Sequence, residues 1–371
     1  MRVTRLFALA VALCLILGGC QRTGELENQA YVLILGVDLL PEGGLRLTAR
    51  VPKVGNSAPE GDKSGGGSKY LTFAAEGDGW AGAREALERA TPRPLNLSHI
   101  VLLVISRAAA SEDGCFDLLR QIAETPHLYT TARLVVCAGD AGEFIGGLQT
   151  VIGTQLSAEL NAMLNHYANE GFIPESSLAD FYYAGGSVYS DPVAAYATMS
   201  TAPRSEGADS PEPGGSAEAV PMQQRYEGAA LFREGRFIGA LGPEDTRLLG
   251  LIRGDIGALT VDVDGSPVEL TLQGGAKRRV DMGEGGALLR VDMDFKTLDA
   301  VMENRLQSVS DRLRSSVMDL IARCQALGCE PFGFSERAAA RYATLNDWLS
   351  CDWRRLYAEA GVDIRVRMRK L

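Results

Sequence analysis

The chain has 371 residues, more than the roughly 100–200 that one domain usually holds, and 46% of them are hydrophobic against 23% charged, so two or three globular units are expected. Lys and Arg number 37 against 47 Asp and Glu, a formal net charge of −10. Such a chain repels phosphate backbones, and no basic stripe interleaved with aromatics occurs in it, which excludes nucleic acid as a partner class.

At the amino end Arg2 and Arg5 precede an unbroken apolar run over residues 6–17, followed by Gly18-Gly19-Cys20. This is the layout of an export signal. The run is shorter than the about 20 apolar residues that a membrane-crossing helix needs. Leu17-Gly18-Gly19-Cys20 resembles a bacterial lipobox, with cleavage expected between Gly19 and Cys20 and a diacylglyceryl group on the Cys20 thiol. A core role suits Cys20 poorly, because residues 21–28 are mostly polar and would hold it in solvent. Two acyl chains, at about 0.8 kcal/mol per buried methylene, anchor stably where one does not. No second apolar run of membrane-spanning length follows, so the remainder is expected outside the membrane.

Residues 31–38 predict a strand. After the turn signal over 41–44, Leu45, Leu47, Ala49 and Val51 alternate with polar residues, which predicts a hairpin whose second strand buries one face. Residues 54–69 are rich in Gly and Ser and read as a loop. The fragment GGGSK within them lacks the Gly-Lys-Ser/Thr order of a phosphate-binding loop. Trp80, Ala83, Leu87 and Ala90 keep helical spacing, HIVLLVIS and ARLVVCAG predict buried strands, Phe116, Leu119 and Ile122 mark a helix between them, and 156–168 predict another. Alternating strands and helices indicate an α/β unit over about residues 30–200.

Residues 201–224 are dense in Pro, Gly, Ser and Ala and too poor in large apolar residues to build a core, so they predict a boundary. Beyond it a hairpin turns at Glu234-Gly235, Pro243 opens a helix ending near Arg253, and further hairpins turn near Gly265 and Gly285-Gly286. From Leu298 to Leu327 apolar residues step by three or four, and Gly328 follows as a stop, predicting one long amphipathic helix. Its stripe fits packing on the neighbouring sheet or, less simply, a partner helix. Val362, Ile364, Val366 and Met368 then alternate with Asp363, Arg365, Arg367 and Arg369, a half-buried strand whose basic face meets solvent or an acidic partner.

Chemistry-bearing patterns are sparse. His99, His127 and His166 stand apart from one another, no Gly-x-Ser-x-Gly occurs, and the Asn96-Leu97-Ser98 acceptor triplet is read as accidental behind a bacterial lipobox. Asp292 and Asp294 are expected on the wet side of a strand, and Glu244 and Asp245 form no further pattern. Of the seven cysteines, Cys115, Cys137, Cys324, Cys329 and Cys351 remain once Cys14 leaves with the signal and Cys20 is acylated. Idle thiols are expected of them. Were one bridge to form, Cys324 with Cys329, or either with Cys351, is the candidate. No catalytic residue, metal site or cofactor is assigned, and no ligand-binding residue is identified.

Five collinear stretches resemble the C subunit of the spore germinant receptors, the Ger(x)C lipoproteins of endospore-forming Firmicutes. They are the lipobox followed by ELENQAYVLILGVD; RPLNLSHIVLLVIS; DLLRQIAETPHLYTTARLVVCAGDAGEFI; GAALFREGRFIGALGPEDTRLLGLIRGD; and the long helix with GFSERAAARYATLNDWLSCDWRRLYAEAGVDIRVRM. The resemblance implies a non-enzymatic, lipid-anchored subunit needed for germination, on the outer face of the inner spore membrane beside integral-membrane A-type and B-type subunits. Cys20 is the one functional residue it carries over. The expected fold class is α+β, multi-domain, with mixed α/β domains, largely antiparallel sheets and a long amphipathic helix near the carboxyl end. The expected division is a signal peptide over 1–19, a tether over 20–30, an N-terminal domain over 31–200, a linker over 201–226 and a C-terminal region over 227–371, divisible into 227–256 and 257–371. The rival reading is an extracytoplasmic solute-binding or surface-interaction lipoprotein; an anchored hydrolase trails it for want of a catalytic pattern.

Overall fold

The computed structural model describes residues 28–53, 69–148, 155–201, 222–263, 265–283, 286–297 and 303–370. Gly19, Cys20, the tether up to residue 27, the expected loop over 54–68 and residues 202–221 of the expected linker lie outside them. Two sheets carry the fold.

A short parallel pair, β1 (Ala30–Tyr31) with β5 (Leu95–Asn96), holds the entry of the described chain. The larger sheet contains β2 (Ile34–Leu39), β3 (Leu45–Pro52), β4 (Tyr70–Gly77), β6 (Leu102–Ser106), β7 (Arg133–Cys137), β8 (Val193–Thr201), β9 (Met222–Arg233) and β10 (Arg236–Leu241), in the order β10-β9-β8-β7-β6-β2-β3-β4. Strands β2, β6, β7 and β8 run parallel, and the flanking pairs are antiparallel. The central strands are apolar throughout because helices cover both faces. Leu103, Ile105, Leu134 and Val136 meet α1 (Gly79–Ala90), α3 (Cys115–Ala123) and α6 (Leu178–Gly185) through Leu87, Leu119 and Phe181. Leu102, Val104, Val135 and Cys137 point the other way, toward α4 (Ala141–Gly146) and α5 (Leu156–Asn169) through Phe144, Ile145, Leu160 and Leu164. The four-residue α2 (Arg107–Ala110) follows β6 directly, capped by Ser106.

One expectation fails on β3. Thr48 and Arg50, two of the three polar residues of its alternation, are buried as well, and only Arg46 reaches solvent. Helix α4 covers their face, and the Arg50 guanidinium donates to the Ile145 carbonyl there. A long side chain with a carbonyl to reach can lie under a helix that an alternating pattern would assign to solvent.

The expected linker over 201–226 is drawn too wide: Thr201 ends β8 and residues 222–226 begin β9, and because these two strands pair with each other the larger sheet takes strands from both sides of the boundary. Within this pair the register slips: Tyr196 faces Gly228 and Ala197 faces Tyr226. Gly228 sits in the bulge at φ 135, beneath the start of α7 (Pro243–Arg253). Helix α7 opens at Pro243 and ends at Arg253 as the sequence predicts, and Gly254 in the left-handed region stops it.

The second sheet is built from β11 (Ala258–Val263), β12 (Ser266–Leu272), β13 (Lys277–Gly283) and β14 (Gly286–Thr297), all antiparallel, with β15 (Gly361–Lys370) laid parallel on the free side of β14. Leu289, Val291, Met293 and Phe295 of β14 face inward, and the long helix α8 (Glu303–Leu327) sets Val309, Leu313, Val317, Leu320 and Cys324 on the same core. The stripe is therefore spent on the sheet and not on a partner helix. Asp292 and Asp294 lie on the outer face, as expected, paired to Arg279 and Arg367, while Arg365 pairs with Asp363. The basic strand is thus half of a solvated ion-pair mesh.

Between α8 and β15 run three helices that periodicity does not foretell: α9 (Phe334–Ala339), α10 (Leu345–Leu349) and α11 (Trp353–Ala358). Val193, Ala229, Leu231 and Leu241 of the larger sheet join the core of the second, so the two sheets share apolar material. Cys115, Cys137, Cys324 and Cys329 are buried free thiols, and Cys351 is a half-buried one. Burial pushes the Cys115, Cys137 and Cys324 thiols up to about 12.

Candidate functional site

The sequence-predicted residues do not assemble into a centre. Gly19 and Cys20 are outside the described residues. His99 meets Tyr31 edge to face with ring centroids 4.8 Å apart, His127 occupies a left-handed loop position at φ 63, and His166 lies on α5. Asp245 pairs with Arg323 at 2.6 Å, which ties α7 to α8. The carboxyl ends of the parallel strands are where an open α/β sheet commonly holds a ligand. Here the Asp38 carboxylate fills that place, accepting from Ala141 N at 2.7 Å and Gly142 N at 3.1 Å at the start of α4. Burial raises its pKa against the pull of those two donors. Among the described residues no three His, Cys, Asp or Glu side chains gather as metal ligands would.

What does assemble is the joint between the sheets. It begins where α8 stops. Gly328 takes φ 66, Cys329 N donates back to Cys324 O at 3.0 Å, and the chain turns inward. Cys329 Sγ then donates to the Phe232 carbonyl of β9 at 3.2 Å. Next in line, Glu330 is buried, and its carboxyl gathers the loop that follows: Oε1 accepts from Phe332 N at 2.9 Å and Phe334 N at 3.1 Å, and Oε2 accepts from Ser335 N at 3.1 Å. The Ser335 hydroxyl lies within hydrogen-bond reach of both Glu330 Oε2 and the Tyr189 carbonyl oxygen. The hydroxyl has one proton for two acceptors, a shortage that protonation of Oε2 would relieve. Burial pushes Glu330 up to about 7, against its donors.

The segment 187–192, between α6 and β8, is clamped to this loop. Asp191 N donates to Glu330 O at 3.3 Å, and Glu330 N donates to Asp191 Oδ2 at 2.9 Å. Arg354 of α11 reaches Asp191 Oδ1 at 3.2 Å and Glu234 Oε1 at 3.6 Å, while Trp348 Nε1 donates to Val188 O at 3.2 Å. Tyr189, Trp348, Trp353 and Tyr357 stack in succession with centroids 5.7–6.2 Å apart. Two hollows, of about 490 and 410 Å³, share Ser187, Ser190, Asp191 and Pro192 as a common wall.

Chemically the joint can hold, clamp and dock; its one hydroxyl–carboxyl pair, Ser335 with Glu330, is buried and committed to backbone groups of the loop and of Tyr189. Sequence reasoning passed over Asp191, Glu330, Ser335 and Arg354. The available signal was the aromatic density over 342–357, which holds two of the three tryptophans of the chain.

Comparison with known proteins bears on the family and the fold. The model for the spore germination protein N-terminal domain matches residues 22–199, and the spore germination B3/GerAC-like C-terminal model matches 227–369. The putative spore germination protein YfkR of Bacillus subtilis (strain 168) is 22% identical over 377 residues, covering 96% of this chain and 93% of its own. The crystal structure of the GerBC protein shares the fold at a TM-score of 0.54 and 12% identity, over 91% of this chain and 96% of that one.

Proposed function

We propose that this chain, which belongs to the GerAC family of spore germination proteins, is the lipid-anchored, non-enzymatic C-type subunit of a nutrient germinant receptor. The observation that carries the reading is collinearity: the two family models follow one another along residues 22–369, on a fold shared with GerBC over 91% of this chain. In this reading Cys20 bears the diacylglyceryl group after cleavage behind Gly19. The folded part then starts about ten residues from the bilayer, on the extracytoplasmic face of the inner spore membrane, and works through contacts with integral-membrane A-type and B-type subunits. No helix of the described residues is long and apolar enough to cross a membrane, so in this proposal the acyl chains carry the attachment.

The deciding variant is Cys20→Ala. In detergent-free fractionation of spores the variant is expected to leave the membrane pellet for the soluble fraction, and the germination response to nutrients is expected to fall with it. A variant that still pellets with membranes would defeat the anchor. Co-purification of the lipidated chain with two integral-membrane proteins tests the assembly, and its recovery alone would defeat the subunit reading.

A further inference from the structure

We infer that the joint is a docking cleft for a basic, apolar-bearing polypeptide segment of a partner protein. The inference deepens the subunit reading and rests on it, since the segment must come from a protein held beside this one.

Charge is the first ground. The larger hollow is lined by the carboxylates of Asp191, Glu234 and Asp352, with the buried Glu330 left out of the count, against the guanidinium of Arg354 inside it and that of Arg355, which pairs with Asp352. The smaller adds Glu175, Asp180, Asp255 and Glu336 against Arg253 and Arg278. Acidic groups exceed basic ones in both, in a chain that is itself acidic. A surface of this sign attracts Lys and Arg side chains and repels anionic headgroups, so a protein segment suits it and a bilayer surface does not.

Apolar exposure is the second. Large hydrophobic side chains left in water are few among the described residues, and four of them rim this cleft: Tyr183 at 74% exposure, Val188 at 49%, Leu345 at 51% and Leu349 at 55%. Tyr183, Val188 and Leu349 line the hollows themselves, and Leu345 stands one turn from Leu349 on α10. Covering them takes a body larger than either hollow can contain.

Position is the third. The common wall of the two hollows is the segment 187–192, which Glu330, Asp191 and Arg354 clamp to the second sheet. A strand of peptide lying across it would touch both sheets at once.

The test is photo-crosslinking in intact membranes with the full lipidated chain. A benzoylphenylalanine replaces Leu349 in one strain and Glu269, exposed on β12 of the outer sheet face, in another. The position-349 probe is expected to join a protein segment that carries Lys or Arg among apolar residues, and the position-269 probe is expected to give no such product. Neutralising two exposed rim carboxylates with Glu234→Gln and Asp352→Asn is expected to lower the position-349 yield about fivefold, with a further fall at raised ionic strength. Circular dichroism confirms that this double variant is folded. Crosslinks from 349 to lipid only, to an acidic segment, or in a yield indifferent to the two substitutions would overturn the docking cleft. Co-purification with membrane subunits that crosslink from 269 and not from 349 would sink the cleft while leaving the subunit reading standing. Failure to co-purify with any membrane protein would remove that reading instead.

Discussion

Glu330→Ala is expected to lower the unfolding free energy by about 3 kcal/mol, read as a shift of the urea midpoint followed by tryptophan fluorescence. The substitution strips the acceptor from Phe332 N, Phe334 N and Ser335 N at one stroke, at a residue only 5% exposed. A buried donor left unmade costs roughly 1–3 kcal/mol, and partial collapse of the loop recovers some of the total. Glu330→Gln is expected to be milder, because its amide can donate toward the Ser335 hydroxyl much as a protonated carboxyl does. The sign of the pH dependence follows from the same group. A carboxyl raised from 4.5 to about 7 binds its proton more tightly folded than unfolded. Its contribution to stability is therefore full below pH 4.5 and lost as the pH rises through about 7. The stability of the native chain relative to Glu330→Gln should accordingly grow as the pH falls through that window. Parallel pH profiles for the two proteins would show that the carboxyl is ionised throughout.

Gly228→Ala is the second large effect, at about 3 kcal/mol or more of lost stability in the same assay. A Cβ at this position would come within 2.0 Å of the Leu241 carbonyl oxygen and 2.8 Å of Thr246 Oγ1. The residue also holds φ 135, where side-chain-bearing residues are rarely found. Neither neighbour can retreat: Leu241 O belongs to β10, and Thr246 Oγ1 is committed to Gly242 O at 2.9 Å. Gly239→Ala serves as the control, since the nearest atom to its added Cβ, on Leu327, is 3.6 Å away, an ordinary contact. Equal midpoint shifts for the two variants would show that the bulge is not the constraint.

These residues also mark where sequence reading succeeds and where it stops. The central strands are legible because LLVIS and RLVVC are apolar on both faces, and α7 because Pro243 and Gly254 punctuate it. The long helix is legible for its stripe, whose partner the structure supplies. Strand β4 is not: it lies at the sheet edge with no residue buried, so its pattern is faint. Helices α9, α10 and α11 have five or six residues each, too few for a helical period to register. The parallel seat of β15 on β14 is hidden for another reason, since alternation names a strand without naming its neighbour. The joint is least legible of all. Asp191 meets Glu330 across 139 positions and Arg354 across 163, and no local pattern reports a contact at that range. The lipobox-like stretch over residues 17–20 is the opposite case, since the whole of that expectation is contained in four consecutive residues.

The pairing of β8 with β9 has a consequence for how this protein can be divided. The two strands run side by side from Val193 opposite Leu231 to Thr201 opposite Met222, although residues 202–221 intervene in the chain. The two stretches recognised as separate family units are therefore sewn along a seam inside one sheet. A polypeptide nicked between them should stay whole under native conditions, and the two fragments made apart should be able to complement one another. The same seam restricts inheritance: a hybrid that takes one half from a distant relative must match the partner edge strand residue for residue, so the halves are bound to evolve as a pair.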